Sequence, residues 1–149
     1  MGLKIGQAGR AVFVYGSLMY LPVWGQVVKG VYACKAATAN GFQRYAVPGE
    51  TYPAMVRTAG AAVRGLVWLD VNADDIARLD AFEGSEYARE EINIEIEGTG
   101  EVLLADTYLW LKPDVLVGEL WQVARFEAEG MQQFLGKHVG DWNTTGRRK

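Results

Sequence analysis

Glu83 is the residue of this 149-residue chain whose spacing to its neighbours most clearly suggests chemistry. Asn72 has the character of a helix N-cap, and Asp74 and Asp75 fall where a helix dipole favours acids. With Gly84 as a stop signal, the spacing predicts a helix from Ala73 to about Phe82. Ile76, Leu79 and Glu83 then stand at i, i+3 and i+7, so a carboxylate shares the core-facing stripe. Burial and the negative end of the dipole would both raise its pKa, as a general base working near neutrality requires. Fraying at Gly84 would instead let Glu83 reach water, and spacing alone leaves both readings open. Asp80 lies near the same stripe, but an acid in mid-helix finds the surface more easily.

The complementary part is a strand that breaks. Ala11 to Tyr15 reads as a buried strand running straight into Gly16-Ser17-Leu18. Such a break is either a plain turn or a nest, in which successive backbone N–H groups face one carboxylate or oxyanion. A short helix opening at Pro22 would add its positive end. Tyr52-Pro53, Tyr87 and Tyr108 are polar-tipped aromatics suited to a pocket wall, and equally to the core or rim.

Other chemistries fall away on residue counts. A Ser-His-Asp or Cys-His site needs a histidine, and His138, beside a polar tail, is the only one. It reads as a surface residue at the end of the last helix. Cys34, within an apolar strand, reads as a structural thiol. One His and one Cys cannot supply a usual zinc ligand set. The chain has no Walker loop and no Gly-x-Gly-x-x-Gly. An enzyme built from it must work with carboxylates, hydroxyls and backbone amides.

The elements that must position these groups are short. The Pro22 helix is expected to reach about Lys29 and end at Gly30, with a strand somewhere in Val31–Phe42. Pro48-Gly49 marks a turn, followed by an extended segment Tyr52–Val56 and a separate alternating strand Ala62–Val71. Ile92, Ile94 and Ile96 alternate with polar residues, and Gly98-Thr99-Gly100 turns the chain into an antiparallel partner, Glu101–Leu111. Glu119–His138 reads as one amphipathic helix, bent or broken at Gly130. Together these suggest an α+β domain around a curved or closed sheet, with residues 11–138 as the domain and 1–10 and 139–149 as loose tails.

Composition narrows the partners. With a formal +2 on each tail, the net charge of −3 leaves residues 11–140 at −7, which argues against a nucleic-acid surface. No apolar run approaches the roughly 20 residues of a membrane helix, and no signal-peptide core precedes the first strand. A single Cys excludes an internal disulfide and suits a reducing, cytoplasmic setting. No feature specifies an oligomeric state.

Taken in order, "VFVYGSL" (12–18), "YPAMV" (52–56), "GLVWLDV" (65–71), "LDAFEGSEYARE" (79–90) and "ADTYLWL" (105–111) resemble the γ-glutamylcyclotransferase-like superfamily. "GELWQVARFE" (118–127) and "MQQFLGKH" (131–138) are similar to its plant avirulence-induced (AIG2-like) branch. The resemblance implies a small mixed, largely antiparallel β-barrel flanked by helices. It also implies an acyltransferase activity that releases 5-oxoproline from a small γ-glutamyl substrate, without metal or organic cofactor. On this resemblance Glu83 is the catalytic base and acid. Tyr15, Gly16, Ser17, Leu18, Met19 and Tyr20 form the substrate loop, with Tyr52, Pro53, Tyr87 and Tyr108 lining the pocket. The other reading is a binding or sensor module that holds a γ-glutamyl or related carboxylate metabolite without turnover.

Overall fold

A computed structural model describes residues 9–136. Five strands, β1 (Arg10–Val14), β2 (Cys34–Ala46), β3 (Pro53–Val71), β4 (Tyr87–Ile96) and β5 (Val102–Trp110), close into a barrel in the order β1-β3-β2-β4-β5. Neighbours run antiparallel, except that β1 meets β5 in parallel at Val12 and Asp106. Helices α1 (Leu21–Val27) and α2 (Ala73–Glu83) pack on one side. Among the described residues, no helix is long and apolar enough to cross a membrane.

Strand alternation produces two cores. Phe13, Met55, Val63, Val67, Ile92, Ile94 and Ile96 fill the barrel interior. Val12, Val14, Trp68 and Val71 point outward and meet Val23, Trp24, Val27, Ile76 and Leu79 of the helices. Trp24 stacks on Trp68, with ring centroids 4.3 Å apart. Both faces of β1 are therefore dry, which is why its sequence runs apolar without alternation. Burying a side chain the size of Phe13 is worth about 2–3 kcal/mol, so this strand is a firm base for the turn that follows it.

The α2 helix forms as its signals predict. Asn72 accepts a hydrogen bond from the Asp75 N–H at 2.8 Å, and the Gly84 N–H closes the other end on the Asp80 carbonyl at 3.1 Å. Asp75 is fully buried. Burial pushes its carboxyl up, but hydrogen bonds from Tyr32, the Lys29 and Gly30 N–H groups and Arg78 outweigh that and hold it below its ordinary value.

Several expectations need correction. Pro53–Val56 of the expected Tyr52–Val56 segment and Ala62–Val71 are parts of one strand, β3, which bends at the positive-φ Gly60 opposite a register shift at Gly41. Cys34 opens β2 and is exposed, not buried in a strand. The segment 119–122 is extended, because the Ala46 N–H bonds to the Glu119 carbonyl, the Trp121 N–H to Arg44, and Leu120 bridges to Tyr45. Helix begins only at α3 (Val123–Arg125), widens into a π-helical turn over Phe126–Gly130 and resumes as α4 (Met131–Phe134). The π-turn ends at the predicted break, Gly130. Gly9 and Arg10 belong to the fold, with the Gly9 N–H bonded to the Asp70 carboxylate at 2.9 Å. The rest of the N-terminal tail, His138 and the tail 139–149 lie outside the described residues.

Candidate active site

Strand β1 ends by delivering Tyr15 into a tight turn. Gly16 is fixed there by crowding: a Cβ on it would stand 2.7 Å from both Cγ and Cδ of Pro53. A single 3₁₀ turn, Ser17–Met19, follows, closed by Met19 N–H to Gly16 and Tyr20 N–H to Ser17 at 3.0 and 3.1 Å. Among the described residues, the N–H groups of Gly16, Ser17 and Leu18 find no acceptor. Arg44 of β2 holds the turn from behind, its Nη1 donating to the Tyr15 carbonyl at 2.7 Å while the guanidinium lies over Trp121, 5.0 Å from the ring centroid. Burial lowers the Arg44 pKa.

Glu83, the last residue of α2, faces this turn across two adjoining cavities. The inner one, about 20 Å³, is lined by Phe13, Val14, Tyr15, Gly16, Ser17, Leu18, Pro53, Glu83, Tyr87 and Tyr108. The outer one, about 100 Å³, is lined by Ser17, Tyr52, Phe82, Glu83, Glu86, Tyr87 and Phe134. Glu83 is half-buried, and among the described residues its carboxylate makes no hydrogen bond or ion pair. Burial pushes its pKa up to about 8. The expected rise is present, and desolvation is its cause.

Three tyrosines surround that carboxylate, and each hydroxyl proton is engaged elsewhere. Tyr15 donates to the Tyr108 carbonyl, Tyr87 to the Pro53 carbonyl at 2.7 Å and Tyr108 to Asp80 at 2.7 Å. Burial raises the pKa of all three well above 10, helped at Tyr108 by its bond to Asp80 and at each by the negative field of Glu83, so they stay neutral phenols. Asp80 is anchored by Arg89 at 2.8 Å, and Arg89 also pairs with Asp106 at 2.8 Å. Burial raises the carboxyl of Asp106, but Arg10 and Arg89 together bring it below its ordinary range. Arg89 thus works through Asp80 on Tyr108.

Of the residues singled out by sequence, Glu83, Tyr15, Gly16, Ser17, Leu18, Pro53, Tyr87 and Tyr108 line the inner cavity and Tyr52 the outer. Met19 and Tyr20 line neither. The Tyr20 hydroxyl instead donates to Glu127 at 2.9 Å, and its ring tilts against Phe126. Because α1 begins beyond Tyr20, its positive end is not part of the cavity wall. Sequence reasoning missed Arg44, Phe82, Glu86 and Phe134. Arg44 had one signal: it lies two residues after the buried Phe42, a position that points a charge inward. A larger groove of about 540 Å³ between Ala46–Thr51 and the C-terminal segment contains neither Glu83 nor the turn.

Residues 12–131 match the family described as gamma-glutamyl cyclotransferase, AIG2-like. AIG2-like protein A of Arabidopsis thaliana is 33% identical over 127 residues, which is 83% of this chain and 76% of that protein. A solution structure from Arabidopsis thaliana superposes with a TM-score of 0.67 at 32% identity, covering 85% of this chain and 86% of the other. A structure named gamma-glutamyl cyclotransferase shares the fold, with a TM-score of 0.59 at 19% identity over 68% of this chain and 66% of that one.

Proposed function

We propose, from the premise that this chain belongs to the AIG2-like gamma-glutamyl cyclotransferase family, that it releases 5-oxoproline from a γ-glutamyl amine or peptide with Glu83 as base and acid. The observation that carries this reading is the Glu83 carboxyl, held at about 8 in a cavity it shares with the Tyr15–Leu18 turn. Such a substrate brings its own nucleophile. The α-ammonium loses a proton to Glu83, and the amine nitrogen attacks the γ-carbonyl carbon to close a five-membered ring. The ring nitrogen gives up its second proton as it becomes the lactam N–H, the bond to the leaving amine breaks as Glu83 passes a proton to it, and with both protons transferred the amine departs as an ammonium. No water is consumed and no enzyme nucleophile is used.

The N–H groups of Gly16, Ser17 and Leu18 hold the substrate carboxylate, and proximity of amine and carbonyl supplies much of the acceleration. Ser17, Pro53, Tyr52, Tyr87 and Tyr108 shape the remaining wall. Tyr15, buried and hydrogen-bonded inward, fixes the start of the turn. The exposed thiol of Cys34 favours a reducing cytoplasm as the place of work.

A panel of γ-glutamyl amino acids, γ-glutamyl amines and glutathione, read out as 5-oxoproline, tests the reading. Release from at least one member is expected. Stabilisation of the protein by panel members with no product from any would mean a binding module and would overturn the catalytic reading.

A further inference from the structure

The turn after β1 contains a peptide plane that glycine leaves free to turn over. Reversing a plane changes the ψ of the residue before it and the φ of the residue after it, and for the Tyr15–Gly16 peptide the second belongs to a glycine. Gly16 stands at φ −135°, and reversal would bring it to about +45°, a left-handed value that glycine adopts readily. The crowding by Pro53 that demands Gly16 thus leaves the plane open to two orientations. One presents the Gly16 N–H to the cavity, the other the Tyr15 carbonyl, and only the first can hold an anion. The selector lies on β2. Arg44 Nη1 donates to the Tyr15 carbonyl at 2.7 Å, and among the described residues no backbone N–H reaches that oxygen. In a trans peptide C=O and N–H point opposite ways, so an oxygen held toward Arg44 sends the Gly16 N–H away from it. Gly16 lines the inner cavity and Arg44 does not.

The geometry points to Arg44 as a positioning residue that fixes the polarity of this turn, holding the Tyr15–Gly16 peptide with its N–H toward the substrate carboxylate. It rests on the reading under Proposed function only in taking a carboxylate as what the turn holds. Arg44 is itself fixed in place. Its Nη1 also reaches the Arg64 carbonyl at 3.3 Å, and the Trp121 ring lies against the guanidinium. Trp121 is tied down in turn, its backbone N–H donating to the Arg44 carbonyl at 3.3 Å and its indole N–H to the Thr51 carbonyl at 2.8 Å. Among the described residues no carboxylate pairs with Arg44, so its charge is not cancelled locally. A cation on the oxygen side of a peptide polarises it and makes the N–H on the far side a stronger donor. Arg44 thereby acts on a bound anion through the peptide, without touching it.

The test reads the peptide first and binding second, on the full chain. Structures without ligand are determined for wild type, Arg44→Met and Arg44→Lys. Arg44→Met is expected to turn the Tyr15–Gly16 peptide over, with Gly16 φ becoming positive, and Arg44→Lys, which keeps a charged donor, to leave it as in wild type. Arg44→Gln, neutral and too short to reach the carbonyl, carries the same expectation should Arg44→Met not fold. Binding is followed by NMR with 5-oxoproline and 2-pyrrolidinone, which share a lactam ring and differ in the carboxylate. Wild type should favour 5-oxoproline on the order of tenfold, Arg44→Met should lose that preference, and Arg44→Lys should keep most of it. A merely structural role would lower the stability of Arg44→Met, leave the peptide in place and weaken both rings alike. An unturned peptide in the neutral variant, a preference that survives in it, or a wild type that does not distinguish the rings would each overturn the inference. The panel for 5-oxoproline release, run on wild type, is read separately. No release from any member removes the catalytic reading and leaves the peptide result standing, whereas release with an unturned peptide in the neutral variant does the reverse.

Discussion

Replacing Glu83 by Gln should change how stability depends on pH, in a direction fixed by the structure. A carboxyl whose ordinary pKa is 4.5 is held at about 8 by burial. Below 4.5 it is protonated in folded and unfolded chains alike, and its contribution is fully present. Between the two values the unfolded chain releases a proton that the folded chain keeps, so stability falls as pH rises and levels off above about 8. At about 1.4 kcal/mol per pH unit, the loss over that interval has an upper bound of about 5 kcal/mol. Glu83 keeps some contact with water, so about 2 kcal/mol is the expected figure. Urea unfolding followed by tryptophan fluorescence from pH 5 to 9 measures it, and the contributions of all other groups cancel in the difference between wild type and Glu83→Gln. The two should differ little at pH 5, with the variant gaining relative stability up to pH 8. Parallel curves, or a variant less stable at every pH, would refute the assignment of a desolvated carboxyl.

Three further outcomes follow from the packing. Gly16→Ala puts a Cβ against Pro53 and should cost about 1–3 kcal/mol while displacing the turn, seen as a lower melting temperature and loss of ligand-induced stabilisation. Arg44→Met keeps much of the stem volume but removes the bond to the Tyr15 carbonyl, and about 2 kcal/mol of stability should be lost in urea unfolding. Asp106 is held below its ordinary pKa by Arg10 and Arg89, so its stabilising contribution is present at neutral pH and lost as pH falls through that lowered value. Asp106→Asn should therefore cost about 3 kcal/mol at pH 7 and show a shallower acid transition.

Local rules made α2 legible, because Asn72, the paired acids and Gly84 each act on the backbone within one turn of where they stand. The alternation of Ile92, Ile94 and Ile96 was equally plain, since β4 has one wet face and one dry face. The joining of Tyr52–Val56 to Ala62–Val71 was not, because the strand bends through Gly60 and the small exposed residues around it, which read as a break. Leu120 fits a helical stripe by spacing, yet pairing with Tyr45 pulls it into an extended edge, a contact 75 residues away that no local pattern encodes. The same limit applies to the site. Glu83 and the Tyr15–Leu18 turn are marked by their own neighbours in sequence. Arg44 and the commitment of three tyrosine protons arise only when the five strands and α2 come together.

The central claim, that Glu83 moves the proton in a cyclising release of 5-oxoproline, is tested most directly by rate measurements on the best substrate of the panel. Wild type and Glu83→Gln are compared at pH 8, with folding verified by unfolding curves. The account predicts a loss of at least about a hundredfold in kcat, with substrate still stabilising the variant. A Glu83→Gln protein that releases 5-oxoproline at the wild-type rate would contradict it.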